Sequence, residues 1–256
     1  MMNKFKRRVQ SISERLEWLS IFKISKLSTL AFLLIARKNN KHETIGHFND
    51  YKFYFRGCDI SALKEVLVDE EYHFLQNSLK NIHKPIILDI GAHIGTFALW
   101  CLKQNPNAKI LSVEADPKTY KILEKNSCSQ NKINWTCINR AAWVDGSLLA
   151  FYDVGDAMSH RVSKEGSVKV KGITLKEIIK KINNIEIDIL KIDIEGAEEK
   201  FICSNPEHLS KIKNLIIELH PQLCDVDSVR QAIAPYFETI EEVQGRISSK
   251  PLLYCY

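Results

Sequence analysis

The sequence predicts a doubly wound α/β domain carrying an N-terminal helical arm, and three observations support that expectation. Apolar runs of strand length, Ile86–Ile90, Lys109–Val113, Ile187–Ile192 and Asn214–Ile217, recur with helical segments between them. A glycine turn, Gly91-Ala-His-Ile-Gly95, joins the first run to a helix start at Thr96. Residues suited to binding or proton transfer follow directly on the runs: Glu114, Asp193, and Glu218 with His220. In an open α/β sheet that is the end of the strands where ligands bind.

The elements follow in chain order. Residues 1–45 form a basic arm with Ile12, Leu16, Leu19, Phe22 and Leu27 at roughly helical spacing. Residues 1–41 carry a net +8, so 42–256 sum to −3 of the overall +5. The uncharged stretch from Leu27 to Ala36 is too short to span a bilayer. It also runs into Arg37-Lys38 rather than a small-residue cleavage site, which argues against a signal peptide. The expectation is an amphipathic helix or helix pair packed on the main domain, with peripheral contact to anionic lipid as the alternative. Residues 46–256 form that main domain. It opens with a lead-in to about Lys84, which holds a strand at Tyr51–Phe55 and a helix from Ser61.

After strand Ile86–Ile90 a helix runs from Thr96 to about Lys103, then strand Lys109–Val113 ends on Glu114. Asp116-Pro117 supplies an N-cap and an N1 proline for the next helix. Ile133–Ile138 reads as a third strand. Asp145-Gly146 between Ala141–Val144 and Ser147–Tyr152 predicts a two-residue hairpin, and Asp153–Ser167 predicts a loop that can serve as a lid. Thr174-Leu-Lys-Glu177 is a capping box opening a helix to about Ile182. Strand Ile187–Ile192, a turn and helix start in Asp193–Glu198, and strand Asn214–Ile217 come next. A helix near Asp227–Ala234 and strands near Phe237–Val243 and Leu252–Tyr256 complete the chain.

Composition narrows the functional classes. With 45% hydrophobic and 26% charged residues the chain has the balance of a soluble globular protein. Its seven cysteines contain no C-x-x-C pair, so neither a zinc site nor a secreted disulfide framework is indicated, and a reducing cytoplasm fits best. The −3 body lacks a basic face, so no nucleic-acid partner is expected. A dinucleotide site calls for a middle glycine that this glycine loop lacks. Glu114, nineteen residues after Gly95, stands where an acid accepts hydrogen bonds from ribose hydroxyls. A ribose without a pyrophosphate points to S-adenosylmethionine. Its expected contacts are Asp89, Gly91, Ala92, His93, Gly95, Glu114, Ala115 and Ala141, with adenine lying over 139–142.

Leu88-Asp-Ile-Gly-Ala-His-Ile-Gly95, Val113-Glu-Ala-Asp-Pro117, Asp188-Ile-Leu-Lys-Ile-Asp-Ile-Glu-Gly-Ala-Glu198 and Ile216-Ile-Glu-Leu-His-Pro221 together resemble the FkbM family of S-adenosylmethionine-dependent methyltransferases. The lead-in Arg56-Gly-Cys-Asp59 through Glu71-Tyr72 is similar as well. The resemblance implies a Rossmann-like seven-stranded class I methyltransferase sheet with one antiparallel strand near its edge. It also implies methylation of a hydroxyl oxygen on a sugar, glycolipid or related product.

For that chemistry the acceptor oxygen must line up with methyl carbon and sulfur and lose its proton as the bond forms. Strand alternation puts Lys191, Asp193 and Glu195 on one face of their strand, and Glu218 and His220 on one face of the neighbouring strand. Asp193, Glu195, Glu218 and His220 are therefore the expected catalytic group. Asp193, Glu218 and His220 also have donor types suited to a divalent cation, but the metal-free reading is carried forward. Lys191, inside an apolar strand, needs Asp193 or Asp89 as partner. Glu198 is expected to do no more than offset the helix dipole. Two rivals share parts of the pattern: a nicotinamide-dependent oxidoreductase, and an inactive S-adenosylmethionine-binding module.

Overall fold

The computed structural model describes residues 43–130, 134–151, 168–183, 185–243 and 249–256. The arm up to residue 42 and the expected lid at 153–167 lie outside the described residues. In chain order the strands are β1 (Thr44–Phe48), β2 (Tyr51–Phe55), β3 (Ile86–Ile90), β4 (Lys109–Glu114), β5 (Trp135–Asn139), β6 (Ala141–Ala142), β7 (Leu148–Phe151), β8 (Val168–Ile173), β9 (Ile189–Ile192), β10 (Leu215–Glu218), β11 (Ile240–Val243) and β12 (Leu252–Cys255). The α-helices are α1 (Ile60–Leu63), α2 (Gln76–Asn81), α3 (Thr96–Gln104), α4 (Pro117–Cys128), α5 (Leu175–Lys181), α6 (Glu198–Cys203) and α7 (Val226–Ile233). Among the described residues no helix is long and apolar enough to cross a membrane.

Seven strands form the central sheet in the order β11-β12-β10-β9-β3-β4-β5. β3, β4, β5, β9 and β10 are mutually parallel, while β12 runs antiparallel to both β10 and β11. This is the doubly wound Rossmann-like sheet the sequence predicts, with its single reversed strand one place in from the edge. From β3 the chain crosses first to β4 and later returns to β9 on the other side, so a crevice opens at the carboxyl ends of β3 and β9.

Alternate residues feed two cores. Ile87, Ile189 and Ile216 pack with Phe97 and Trp100 on one face. Leu88, Leu190, Leu215 and Ile217 pack with Phe201, Ile178 and Val229 on the other. Burial on both faces explains why these strands read as continuous apolar runs, each such side chain contributing roughly 1.5–3 kcal/mol. Asp116 caps α4 by accepting from Thr119 N at 2.9 Å, and Thr174 with Glu177 forms the predicted capping box of α5. Gly95 is the N-cap of α3 at φ +89°, and a Cβ there would come within 2.5 Å of Trp135. Its demand is for close packing under the loop.

The expected hairpin across Asp145-Gly146 does not form. Asp145 does make the turn, its Oδ1 accepting from Ser147 N at 3.0 Å, but β8 lies between the two flanking segments. β6 pairs parallel to β8 and β7 pairs antiparallel to it. Local turn chemistry is outweighed by a more distant partner, because Val170 on β8 packs with Ala141 and Leu149 in one buried cluster. The alternation Val168-Lys-Val-Lys171 is the strand signal of β8. β2 pairs antiparallel with β1, a strand beyond those expected from the sequence. The lead-in helix begins at Ile60 and widens into a π turn over Lys64–Val68.

Candidate active site

A cavity of about 350 Å³ occupies the crevice and reaches from the end of β4 to the ends of β9 and β10. Its centre depends on Gly91, at φ +78°, where a Cβ would stand 1.7 Å from the carbonyl oxygen of Asp193. Only glycine lets the loops after β3 and β9 touch. His93 and Glu195 are non-glycine residues with φ of +53°, one in each of these loops. Strain of that kind persists only where the surroundings hold it, and it gathers at functional sites.

At the β4 end, Glu114 accepts from His93 N through Oε2 and from Asp116 N through Oε1, both at 2.8 Å. Burial raises its pKa, and these backbone donors work against that rise. Asn139 ties the same turn by donating to Glu114 O and Ala115 O at 2.9 and 3.0 Å. The His93 ring turns away from this end, with Nε2 lying 3.1 Å from the Asp59 carboxylate. Arg56 grips Asp59 through two hydrogen bonds of 2.7 and 3.0 Å and reaches Thr119 Oγ1 at 3.1 Å. Burial alone would raise the fully enclosed Asp59, but His93 and Arg56 hold its carboxyl well below the usual range.

The β9–β10 end is dense in charge. Lys191 donates to Gly91 O at 2.9 Å and lies 3.6 Å from Asp89 and 3.7 Å from Asp193, so it takes both expected partners. His220 is ringed by carboxylates. Nδ1 contacts Glu198 Oε1 at 2.9 Å, and Nε2 is 3.2 Å from Glu195, 3.6 Å from Glu218 and 4.0 Å from Asp193. Burial opposes charge on the ring, yet Glu195 and Glu198 push its pKa up to about 10. The carboxylates around the ring thus favour positive charge at this position. Burial, followed by the nearby Asp193 charge, brings Glu218 up to about 7.

Gly91, Ala92, His93, Glu114, Ala115 and Ala141 all line the cavity, and so do Asp193, Glu195 and Glu218. Asp89 is fully buried beneath the lining, His220 stands behind it, and Gly95 serves packing. Sequence reasoning missed Glu71 and Lys250, both on the lining, and gave Asp59 no role. It also undervalued Glu198. This side chain is fully buried and accepts from Ile194 N and Gly196 N, in addition to holding His220. Asp59 and Glu198 sit in motifs the sequence displays, but their partners, His93 and His220, are distant in the chain.

Residues 89–243 match the family model for the methyltransferase FkbM domain. Over 139 residues the chain is 27% identical to the hexuronic acid methyltransferase AglP of Haloferax volcanii, covering 53% of this chain and 56% of that protein. It is 26% identical over 192 residues to the methyltransferase sdnD of Sordaria araneosa, covering 60% of this chain and 72% of the relative. Among solved structures, the N-terminal domain of EvdMO1 with SAH bound aligns over 90% of this chain and 97% of that one, at 12% identity and a TM-score of 0.49. The chain spans just over half the length of AglP.

Proposed function

The chain belongs to the FkbM methyltransferase family, and on that premise we propose that it transfers a methyl group from S-adenosylmethionine to a hydroxyl oxygen of a sugar, glycolipid or related small molecule. The donor is S-adenosylmethionine. Glu114 receives the ribose hydroxyls, Ala115 and Ala141 leave room for adenine, and Gly91, Ala92 and His93 carry the methionine end. Asp89 acts from below by pairing with Lys191, which fixes the Gly91 carbonyl.

The observation that carries this reading is continuity. One cavity joins the held carboxylate of Glu114 to the carboxylates of Asp193, Glu195 and Glu218. A donor seated at the first end presents its methyl group toward the second, where the acceptor hydroxyl can be aligned and its proton received. Alignment supplies most of the rate, and a carboxylate base adds roughly 100-fold or more. An uncharged sugar hydroxyl, a far weaker acid than a carboxyl group, needs such a group. AglP, a hexuronic acid methyltransferase, supports a sugar as acceptor. In this reading the expected catalytic domain, residues 46–256, gains Thr44 and Ile45 from β1, and the segment before them is accessory.

The test has two stages. Calorimetric titration of the full chain with S-adenosylmethionine should show binding. Incubation with methyl-labelled donor and a panel of acidic and neutral glycans should then move label into a product cleaved as a methyl ether. Binding without transfer to any hydroxyl acceptor, with label instead on a nitrogen or carbon, would overturn the acceptor class.

A further inference from the structure

We infer that Asp193, Glu195 and His220 form a binding site for a divalent first-row cation of the manganese type at the wall of the cavity. One ligand atom from each of the three lies within 4.8 Å of the other two. His220 Nε2 stands 3.2 Å from Glu195 Oε2 and 4.0 Å from Asp193 Oδ1. Bonds of about 2.1 Å to a common ion place neighbouring ligand atoms roughly 3 Å apart and opposite ones about 4.2 Å apart, so little movement is required. Glu218 Oε1, 3.6 Å from the same nitrogen, is within range as a further oxygen.

Acidic clusters are common, and a second observation sets this one apart. His220 is only 5% exposed, and its Nε2 makes no aligned hydrogen bond although it points into the cluster. The other ring nitrogen is fixed, since Nδ1 donates to the fully buried Glu198 at 2.9 Å. A carboxylate holding one imidazole nitrogen so that the other faces a metal is the recurrent support of histidine ligands. Glu198 is itself anchored by Ile194 N and Gly196 N, the backbone of the loop that carries Glu195.

Charge points the same way. Lys191 reaches Asp89 and Asp193, Lys250 reaches Glu195 and Glu218, and Glu198 holds His220, so five carboxylates stand against three basic groups. Lys250 reaches Glu195 and Glu218 at 3.6 and 3.3 Å. Asp193 Oδ1, like His220 Nε2, is buried without a hydrogen-bond partner. Asp193 and Glu195 also line the cavity, so the ion's remaining positions open toward the acceptor. There it would lower the pKa of a coordinated hydroxyl. This reverses the metal-free expectation. The role in catalysis rests on the methyltransferase reading, but the site itself does not.

Mn²⁺ titration of the purified full chain, followed by loss of the electron paramagnetic resonance signal of free Mn²⁺, tests the site without any turnover. About one Mn²⁺ per chain should bind. Glu198→Gln should weaken binding by about 10- to 100-fold, and Glu195→Gln and Asp193→Asn by at least about tenfold. Exposed Glu207, outside the cavity lining, serves as control, and Glu207→Gln should bind as the parent does. Two substitutions of partly exposed ligands guard against a failure of Glu198→Gln to fold. No signal loss up to about 1 mM Mn²⁺, or equal binding by Glu195→Gln and the parent, overturns the inference. Parallel titration with S-adenosylmethionine separates the two claims. Donor binding without Mn²⁺ binding sinks the cation site alone, whereas Mn²⁺ binding without donor binding upholds the site and sinks the methyltransferase reading.

Discussion

Glu114→Gln isolates the charge at the cofactor end while preserving shape. In the parent each carboxylate oxygen accepts one backbone N–H at 2.8 Å, from His93 and from Asp116. Each keeps a lone pair for a ribose hydroxyl. The amide retains one accepting oxygen and turns an NH₂ group toward the other backbone donor. One charge-assisted bond to the loop is lost, leaving a buried donor unsatisfied at roughly 1–3 kcal/mol of stability. The ribose contacts fall from charge-assisted to neutral, so donor affinity drops by about 1–3 kcal/mol, or roughly 5- to 150-fold in Kd. Glu114→Ala removes both loop bonds and both ribose acceptors, so it should lose more of stability and of affinity alike. Calorimetric titration with S-adenosylmethionine, beside a urea melt, reads both quantities. A folded Glu114→Gln whose Kd stays within about twofold of the parent would refute the assignment, because the ribose must then lie elsewhere.

Three further outcomes follow from the geometry. Gly91→Ala places a methyl group against the Asp193 carbonyl at a left-handed φ, so thermal unfolding should show a loss above about 3 kcal/mol or no folded protein; a near-parental melt would mean the two loops are not in contact. Asp193→Asn removes a charge from the reaction end and should lower turnover by about 100-fold or more while leaving donor Kd within about threefold, and parental turnover with the true acceptor would show that alignment alone suffices. Asp59 has a folded-state pKa below its unfolded value of about 3.9, so it stabilises the fold above that pH, and the contribution fades as pH falls toward the folded value. The stability difference between the parent and Asp59→Asn, read from urea midpoints between pH 7 and pH 2, should therefore be full at neutral pH and shrink on acidification; a difference independent of pH would remove the ionised Asp59 from the account.

What the sequence determined by itself was local or periodic. Strands buried on both faces must be apolar at successive positions, so β3, β4, β9 and β10 were legible from their runs. Caps act within one helical turn, which made Asp116 and the Thr174–Glu177 box readable. Glu114 could be placed because a residue that ends a strand is carried to the ligand edge by chain geometry alone. Tertiary structure decided the pairings that span distance. β8 took the place of a hairpin because a turn sets only which residues can meet nearby, while burial of Ala141 and Leu149 selects among all partners. The grip of Asp59 on His93, and of Glu198 on His220, joins residues whose separation leaves no periodic trace. Whether a carboxylate acts as a helix-end charge, a brace or a ligand depends on which group desolvates it. That group is set by the folding of the whole chain.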